Sequence, residues 1–357
     1  MATANRGQLT ENMNRAIPLT ALLLLTGGLC LIGWLAWNQY SPLKAPYAYS
    51  LVENGPIDDF PDFGLSLVPH PNLVIQRYEL RAEGEAQPLV VLHTAKRDRS
   101  AAVLLDWKAD FSEPLIHMAT DIGETDALAK AIRQHAPRDS LLLAWWDVSR
   151  RLKLLTGNDV LFDQNLAQPL MLPATWIKYQ AVIGSLENSF WDIAETSKEN
   201  RYFGQFVEAM LADKSSGIAK LKELAGKREA YLVVDIRDAY KLGNLYPDRF
   251  GIGFKDFPRG GDVHGSAGSI KSWLHDQGYE DYAIQPMKEN LLRVYFFTDK
   301  KSHQTLFANL LPFTTSNPVE LKELELVYQH KSYWIYRLNT GDEGMARANP
   351  KPPAVKG

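Results

Sequence analysis

Residues 140–157, SLLLAWWDVSRRLKLLTG, contain the pattern that decides the fold class of this chain. The apolar run from Ser140 to Trp146 predicts a buried strand, and the run that begins near Asp147 predicts a helix. The pattern recurs at 231–235 (YLVVD), an apolar strand that runs into a predicted helix over 236–241. Strands that alternate with helices are typical of an α/β sheet.

Further strands and helices are predicted on both sides of these two pairs. Strands are expected at 73–81, 89–93, 101–107, 291–298, 325–330 and 333–338, and helices at 124–135, 197–211, 217–224 and 269–277. Lys331 and Ser332 are predicted to join the last two strands as a hairpin. Residues 72–338 are therefore expected to form an α/β (or α+β) domain. One unit and two interlocked subdomains both fit its length.

An apolar segment precedes this domain. Residues 17–37, IPLTALLLLTGGLCLIGWLAW, include no charged side chain, and a helix of this length can cross a hydrocarbon core of about 30 Å. The run is longer than the apolar part of a secretory signal, no small-residue cleavage site follows, and Trp34 and Trp37 suit a membrane interface. We therefore predict a single-pass transmembrane helix, and a cleaved signal peptide is the alternative.

Basic residues around the apolar segment predict its orientation. Arg6 and Arg15 precede it and only Lys44 follows closely, so the positive-inside rule predicts that residues 1–16 are cytoplasmic. The large domain is then expected in the periplasm, anchored to a bacterial inner membrane. Residues 38–71, rich in Pro, Tyr and Asp, predict a linker or stalk, and the tail at 339–357 is predicted to be disordered.

Composition excludes several classes of function. The net charge of −3 and the pI near 6.3 offer no basic surface for nucleic acid. The single cysteine, Cys30, lies in the apolar segment, which excludes haem attachment through C-x-x-C-H and cysteine-ligated clusters. The eight histidines match no zinc-hydrolase motif, and no G-x-S-x-G elbow is present. We predict no cofactor in this chain and favour a non-catalytic protein, although enzymatic activity stays open.

Trp145, Trp146 and Asp147, followed by Arg150, form the most unusual local sequence outside the apolar segment. At the carboxyl end of a parallel strand they would face the crevice where α/β sheets bind ligands. The alternative is that Asp147 caps the next helix while a tryptophan fills the core. Asp235 stands at the end of its own predicted strand, as Asp147 does. The two acids either share a site for a cation or polar ligand, or act separately as helix caps or in surface ion pairs.

Glycine-dense residues at 251–269 precede the predicted helix at 269–277. Glycines allow backbone N–H groups to approach an anion at a helix N-terminus, but the spacing matches no nucleotide-binding motif. A mobile loop that contacts a partner is the alternative. Asp262 and His264 are its candidate contact residues.

Four blocks of this sequence resemble the hydroxylamine oxidation protein HaoB family. They are LLLAWWDVSRRLKLLTGNDVLF, YFGQFVEAML, YLVVDIRDAYKLG and LVYQHKSYWIYRL. Together with the N-terminal anchor they are spread along the sequence, so the resemblance extends over nearly the whole chain. The resemblance implies a non-catalytic accessory or docking protein for a periplasmic multihaem hydroxylamine oxidoreductase in ammonia oxidation. The partner, which is that enzyme or an associated cytochrome, would carry the cofactor. The family supplies no catalytic residues that could be assigned here.

A second resemblance leads to a different class of function. The Trp-Trp-Asp block and the terminal hairpin are similar to the soluble part of membrane glycosyltransferases of the oligosaccharyltransferase type, in which a W-W-D motif helps to bind acceptor peptide. Those enzymes catalyse with acids on many membrane helices, whereas this chain has one predicted span. The alternative function is therefore a periplasmic module that binds a ligand or peptide.

Overall fold

A computed structural model describes residues 21–35, 43–61, 73–97, 100–109, 113–164, 170–193, 197–259, 263–287, 290–321 and 323–339. The chain divides into two units, Met1–Ala45 and Pro46–Gly357. In the first unit a helix (α1) covers residues 21–35, and the other residues of the predicted membrane segment 17–37 lie outside the described ranges. Of the helices that are described, none combines the length and the apolar character required to cross a membrane.

The second unit contains both strands and helices. Its strands are β1 Tyr47–Pro56, β2 Leu73–Ala82, β3 Val90–Arg97, β4 Val103–Ala109, β5 Leu141–Ala144, β6 Asp159–Val160, β7 Ala230–Asp235, β8 Ile252–Pro258, β9 Tyr282–Pro286, β10 Leu291–Phe297, β11 Leu324–His330 and β12 Tyr333–Leu338. Its helices are α2 Ile122–His135, α3 Trp146–Thr156, α4 Gln180–Phe190, α5 Ser197–Leu211, α6 Lys214–Ala225, α7 Ile236–Leu245, α8 Val263–Asp276 and α9 Leu306–Asn309.

Three sheets organise this unit. The first is an antiparallel meander in the order β1-β2-β3-β4, and the third is antiparallel in the order β8-β10-β9. The central sheet has the order β11-β12-β7-β5-β6, in which β5 is parallel to β6 and β7 while β12 is antiparallel to β7. The predicted mixed α/β class is therefore confirmed for the described residues.

The central strands are buried because helices cover them. Every residue of β5 and β7 is buried, which is typical of parallel strands packed on both faces. The predicted strand 140–146 ends at Ala144, since Trp145 already occupies the N-cap position of α3. That helix ends at Thr156 and is capped by Gly157, whose left-handed φ of 78° is a conformation that glycine adopts without strain.

Some elements were not predicted. Strand β1 lies inside residues 38–71, for which a linker was expected, and it pairs along its length with β2. Strand β8 lies in the glycine-dense stretch, and α8 begins at Val263 rather than at residue 269. Helix α4 and the short strands β6 and β9 also carried no prediction. The predicted hairpin at Lys331 and Ser332 is confirmed.

Gly217 in α6 tests how tightly the helices pack. A Cβ built on Gly217 would lie 2.5 Å from the carbonyl oxygen of Ala209 and 2.8 Å from Cδ2 of Leu306. We therefore expect Gly217→Ala to lower the free energy of unfolding by about 1–3 kcal/mol, although alanine is the better helix former. Urea denaturation of both variants checks this prediction.

Gly204 in α5 is the matched control, because a Cβ there would meet nothing within 4 Å. Gly204→Ala is expected to raise the free energy of unfolding by about 0.5–1 kcal/mol through helix propensity alone. Equal effects of the two substitutions would contradict the close packing of α6.

Candidate functional site

The carboxyl ends of β5 and β7 lie side by side. Ala144 of β5 pairs with Val233 of β7 in a parallel register. Asp147 is therefore held in the first turn of α3 next to α7, for which Asp235 is the N-cap residue. The two strand–helix junctions bring the two predicted acids into one region of the domain.

Lys241 of α7 lies between two carboxylates. Its Nζ donates to Oδ1 and Oδ2 of Asp147 at 2.9 and 3.0 Å, and to Oδ1 of Asp238 at 2.9 Å. Arg151 adds a second cation to Asp147 at 3.3 Å. Because all four side chains have little or no solvent exposure, each charge depends on its neighbours rather than on water.

Asp235 has its own cation in Arg237. Nε of Arg237 lies 2.9 Å from both carboxylate oxygens of Asp235, and its Nη1 donates to the carbonyl oxygen of Ala119 at 2.8 Å. Nη2 of the same guanidinium reaches Glu124 at 3.1 Å and Ser332 at 3.1 Å. Arg237 thus links α7 to α2 and to the turn that follows β11.

The two pairs join into one network. The backbone N–H of Asp235 donates to Oδ2 of Asp238 at 3.1 Å, which completes a capping box at the start of α7. We call this set the buried ion network; its members are Asp147, Arg151, Asp235, Arg237, Asp238 and Lys241. Asp147 and Asp235 therefore belong to the same cluster, but each acid is neutralised by a separate cation of the protein.

The pKa values reflect this pairing. Burial alone would raise the pKa of Asp147, but the charges of Lys241 and Arg151 hold it well below its usual range. Burial raises the pKa of Asp238 to about 6, and the nearby charges of Asp235 and Asp147 add to that rise while Lys241 opposes it. The charged groups of the network are stabilised by ion pairs within the protein. Among the residues that the structure describes, no group of His, Cys, Asp and Glu side chains is placed to hold a metal ion.

Three of the predicted contact residues are inside the core. Trp145 and Trp146 are 1% and 3% exposed, and the ring of Trp145 packs edge-to-face against Phe203 with centroids 5.3 Å apart. Arg150 is also buried and donates from Nη2 to the carbonyl oxygen of Trp191 at 3.2 Å. The prediction that these residues form a contact surface is corrected, because their apolar surface already packs within the domain. Peptide binding through the Trp-Trp-Asp block finds no support in this geometry.

The remaining predicted site residues are Asp147, Asp235, Asp262 and His264, and the structure treats them differently. Asp147 is the second residue of α3, not its N-cap, so the capping alternative is also corrected. Asp235 does cap α7, through its Oδ1 and the N–H of Arg237 at 2.8 Å. Asp262 lies outside the described residues. His264 lies in α8, and its side chain is not among those described.

A second buried cluster was missed by the sequence analysis. Glu187 of α4 is fully buried, and its Oε1 accepts hydrogen bonds from Tyr47 at 2.5 Å and Tyr49 at 2.8 Å. Its Oε2 lies 2.8 Å from Nε1 of Trp191 and 3.1 Å from Nε2 of His117. We call these five residues the Glu187 cluster. It fastens β1, the strand that was not predicted, to α4.

The Glu187 cluster has shifted pKa values and an unusual backbone conformation. Burial would raise the pKa of Glu187, but hydrogen bonding and charge from His117, with hydrogen bonds from Tyr47 and Trp191, lower it overall. Burial and the charge of Glu187 raise the pKa of Tyr47. Beside His117, Ile116 has a φ of 61° and the N–H of His117 bonds to the carbonyl oxygen of Leu115 at 2.6 Å. A positive φ in such a turn is rare for a β-branched residue, so the backbone at Ile116 is strained.

The signal for this cluster in the sequence was weak. Tyr47 and Tyr49 alternate along a strand, but the neighbouring prolines and aspartates favoured a linker. Glu187 is 140 residues from Tyr47 in the chain and bonds to it only in the folded protein.

Comparison with known proteins gives the family. No curated protein matches this chain. Among solved structures, the C-terminal domain of PglB from C. jejuni is 13% identical, over 60% of this chain and 99% of that chain, with a TM-score of 0.32. A TM-score this low carries no argument about fold or function. The model of the family described as HaoA-associated protein HaoB matches residues 13–338, so this chain belongs to the HaoB family.

Proposed function

We propose that this protein is a non-catalytic accessory that docks HaoA, the hydroxylamine oxidoreductase, at the periplasmic face of the bacterial inner membrane. The observation that carries the proposal is the extent of the family match, which runs from residue 13 to residue 338. It includes the whole apolar segment at 17–37 as well as the α/β domain. The anchor-like segment and the domain are thus parts of one family pattern, and the family's description associates that pattern with HaoA.

The physical benefit of such an arrangement is local concentration. A domain fixed to the membrane by a single helix would hold a bound oxidoreductase close to membrane electron acceptors, because tethering replaces a search in three dimensions by a high effective concentration. The chemistry of hydroxylamine oxidation would remain with the haem groups of HaoA.

Co-purification tests the docking function. Membranes that contain the tagged full-length protein would be solubilised in mild detergent, and the haem absorbance and the identity of the captured proteins recorded. We expect HaoA in a stoichiometric amount. A colourless preparation without HaoA, from cells that make both proteins, would contradict the proposal.

The anchor and the docking surface can be tested separately. In a variant whose residues 1–37 are replaced by a cleavable secretory signal, the domain is expected to capture HaoA but to leave washed membranes together with it. A variant that remains on the membrane would contradict anchoring by residues 17–37. If washed membranes retain HaoA equally well when this protein is absent, the docking role itself is wrong.

A further inference from the structure

A groove of about 770 Å³ lies on the surface of the second unit, next to α7, β8 and the segment that precedes α4. Three aromatic side chains line it, Trp176, Tyr240 and Phe254, together with Pro114 and Pro173. All three rings are half-buried, so part of each faces solvent. We call this surface the aromatic groove. An apolar surface of this kind with polar residues at its border marks an interaction site.

The aromatic rings of the groove are held in place by their neighbours. Trp176 stacks on Tyr47, with ring centroids 5.3 Å apart and an interplanar angle of 20°. Tyr240 packs edge-to-face on Phe254 at 5.0 Å, and the guanidinium of Arg293 lies 4.0 Å from the centre of the Phe254 ring. A ligand would therefore meet rings that are already in position, and binding would cost little side-chain entropy.

Rigid grooves lined by tryptophan and tyrosine suit proline-rich peptides, because the polyproline II helix is largely formed before binding. Such a peptide offers carbonyl oxygens and few N–H groups, and the indole N–H and the phenol O–H are donors for them. This chain has a segment of that chemistry after its last described residue, Pro350-Lys351-Pro352-Pro353. Pro350 and Pro353 are one polyproline II turn apart and would face the same side.

We propose that the proline-rich segment 350–353 docks in the aromatic groove of its own chain. Charge complementarity supports this occupant. Residues 344–357 contain Arg347, Lys351 and Lys356 and no acid, whereas Glu113, which is exposed, is the one charged side chain among the described residues that line the groove. The contact goes beyond the docking of HaoA and does not depend on it.

The segment is close enough to reach the groove. Strand β12 ends at Leu338, which pairs with Ala230, the first residue of β7. The path from Leu338 across to Ala230, along β7 to Asp235 and along α7 to Tyr240 is at most about 30 Å. The chain between Leu338 and Pro350 can span up to about 40 Å when extended. No part of the described domain has to move for the segment to arrive.

Disulfide trapping in the full-length protein in detergent tests this contact. In a Cys30→Ser background, Asn244→Cys places a thiol at an exposed position of the groove, and Ala354→Cys places one beside the proline-rich segment. Mild oxidation is expected to join residues 244 and 354 within one chain, as identified by mass spectrometry. The control pair is Lys220→Cys with Ala354→Cys, where residue 220 is exposed on α6. We expect the groove pair to react about tenfold faster or more, because docking raises the local concentration.

Replacing Pro350, Pro352 and Pro353 by alanine should reduce the rate of the groove pair to that of the control pair. Equal rates for the two pairs, or a rate that the alanines leave unchanged, would overturn the proposal. A disulfide between two chains as the main product, seen as a dimer on a non-reducing gel, would also overturn it, since the tail would then occupy the groove of a second copy.

Competition by a free peptide tests the chemistry of the groove without a further change in the protein. A synthetic peptide of residues 346–357, at millimolar concentration, is expected to slow the reaction of the groove pair about twofold or more. The same peptide with its three prolines replaced by alanine should have no effect. Equal effects of the two peptides, or no effect of either, would overturn recognition of the proline-rich segment by the groove.

Discussion

Replacing Lys241 by methionine is expected to lower the free energy of unfolding by about 3–5 kcal/mol, because it leaves buried carboxylates without their shared cation. Lys241 contacts Asp147 and Asp238 at 2.9–3.0 Å, and all three side chains are nearly or fully buried. Methionine has a similar length and retains most of the apolar contacts of the lysine stem. Guanidinium denaturation, followed by tryptophan fluorescence, measures the difference.

The matched control is Lys220→Met, at an exposed position of α6, which is expected to change the free energy of unfolding by less than about 0.5 kcal/mol. The double variant Lys241→Met with Asp147→Asn should be less destabilised than the sum of the two single variants, since the second change removes one uncompensated charge. Additive effects would contradict the direct ion pair.

Replacing Glu187 by glutamine should be similarly damaging, with an expected loss of about 3 kcal/mol or more at neutral pH. The carboxylate accepts hydrogen bonds from Tyr47, Tyr49, His117 and Trp191. An amide offers one acceptor oxygen, and its NH₂ group would face donors that are buried and cannot turn to water. Glu320→Gln, at an exposed position, is the control and should be nearly neutral.

The effect of Glu187→Gln should also depend on pH. The folded protein lowers the pKa of Glu187, so its contribution to stability is complete above the unfolded value of about 4.3 and is lost as the pH falls through the folded value. The difference in unfolding free energy between wild type and variant is therefore expected to shrink as the pH is lowered below about 4. A difference that stays constant across this range would contradict an ionised, hydrogen-bonded Glu187.

Much of the central sheet could be predicted from local patterns. The apolar runs at β5 and β7 are short, are followed at once by amphipathic helices, and end in acids, so they indicated two parallel strand–helix units. Their parallel pairing then brings Asp147 and Asp235 into one region. The sequence could not indicate which basic side chain would pair with Asp147. Lys241 is one of many lysines, and only the geometry of α7 directs it between the two carboxylates.

The larger difference between the sequence prediction and the structure is the burial of the Trp-Trp-Asp block. Aromatic residues at the end of a strand suggest a binding surface when the helices that cover them are unknown. In the fold, Phe203 of α5 packs against Trp145. The Glu187 cluster was missed for a related reason, because its side chains come from three separate segments of the chain, and one of them resembled a linker.

The position of β12 has a consequence for biogenesis. This strand, at residues 333–338, pairs with β7 in the middle of the central sheet, about a hundred residues earlier in the chain. Until β12 has been synthesised and has left the ribosome, one edge of β7 lacks its partner strand although its residues are buried in the folded protein, and such an unpaired edge is prone to aggregation. A chaperone that covers this edge until β12 arrives would therefore protect the nascent chain from aggregation.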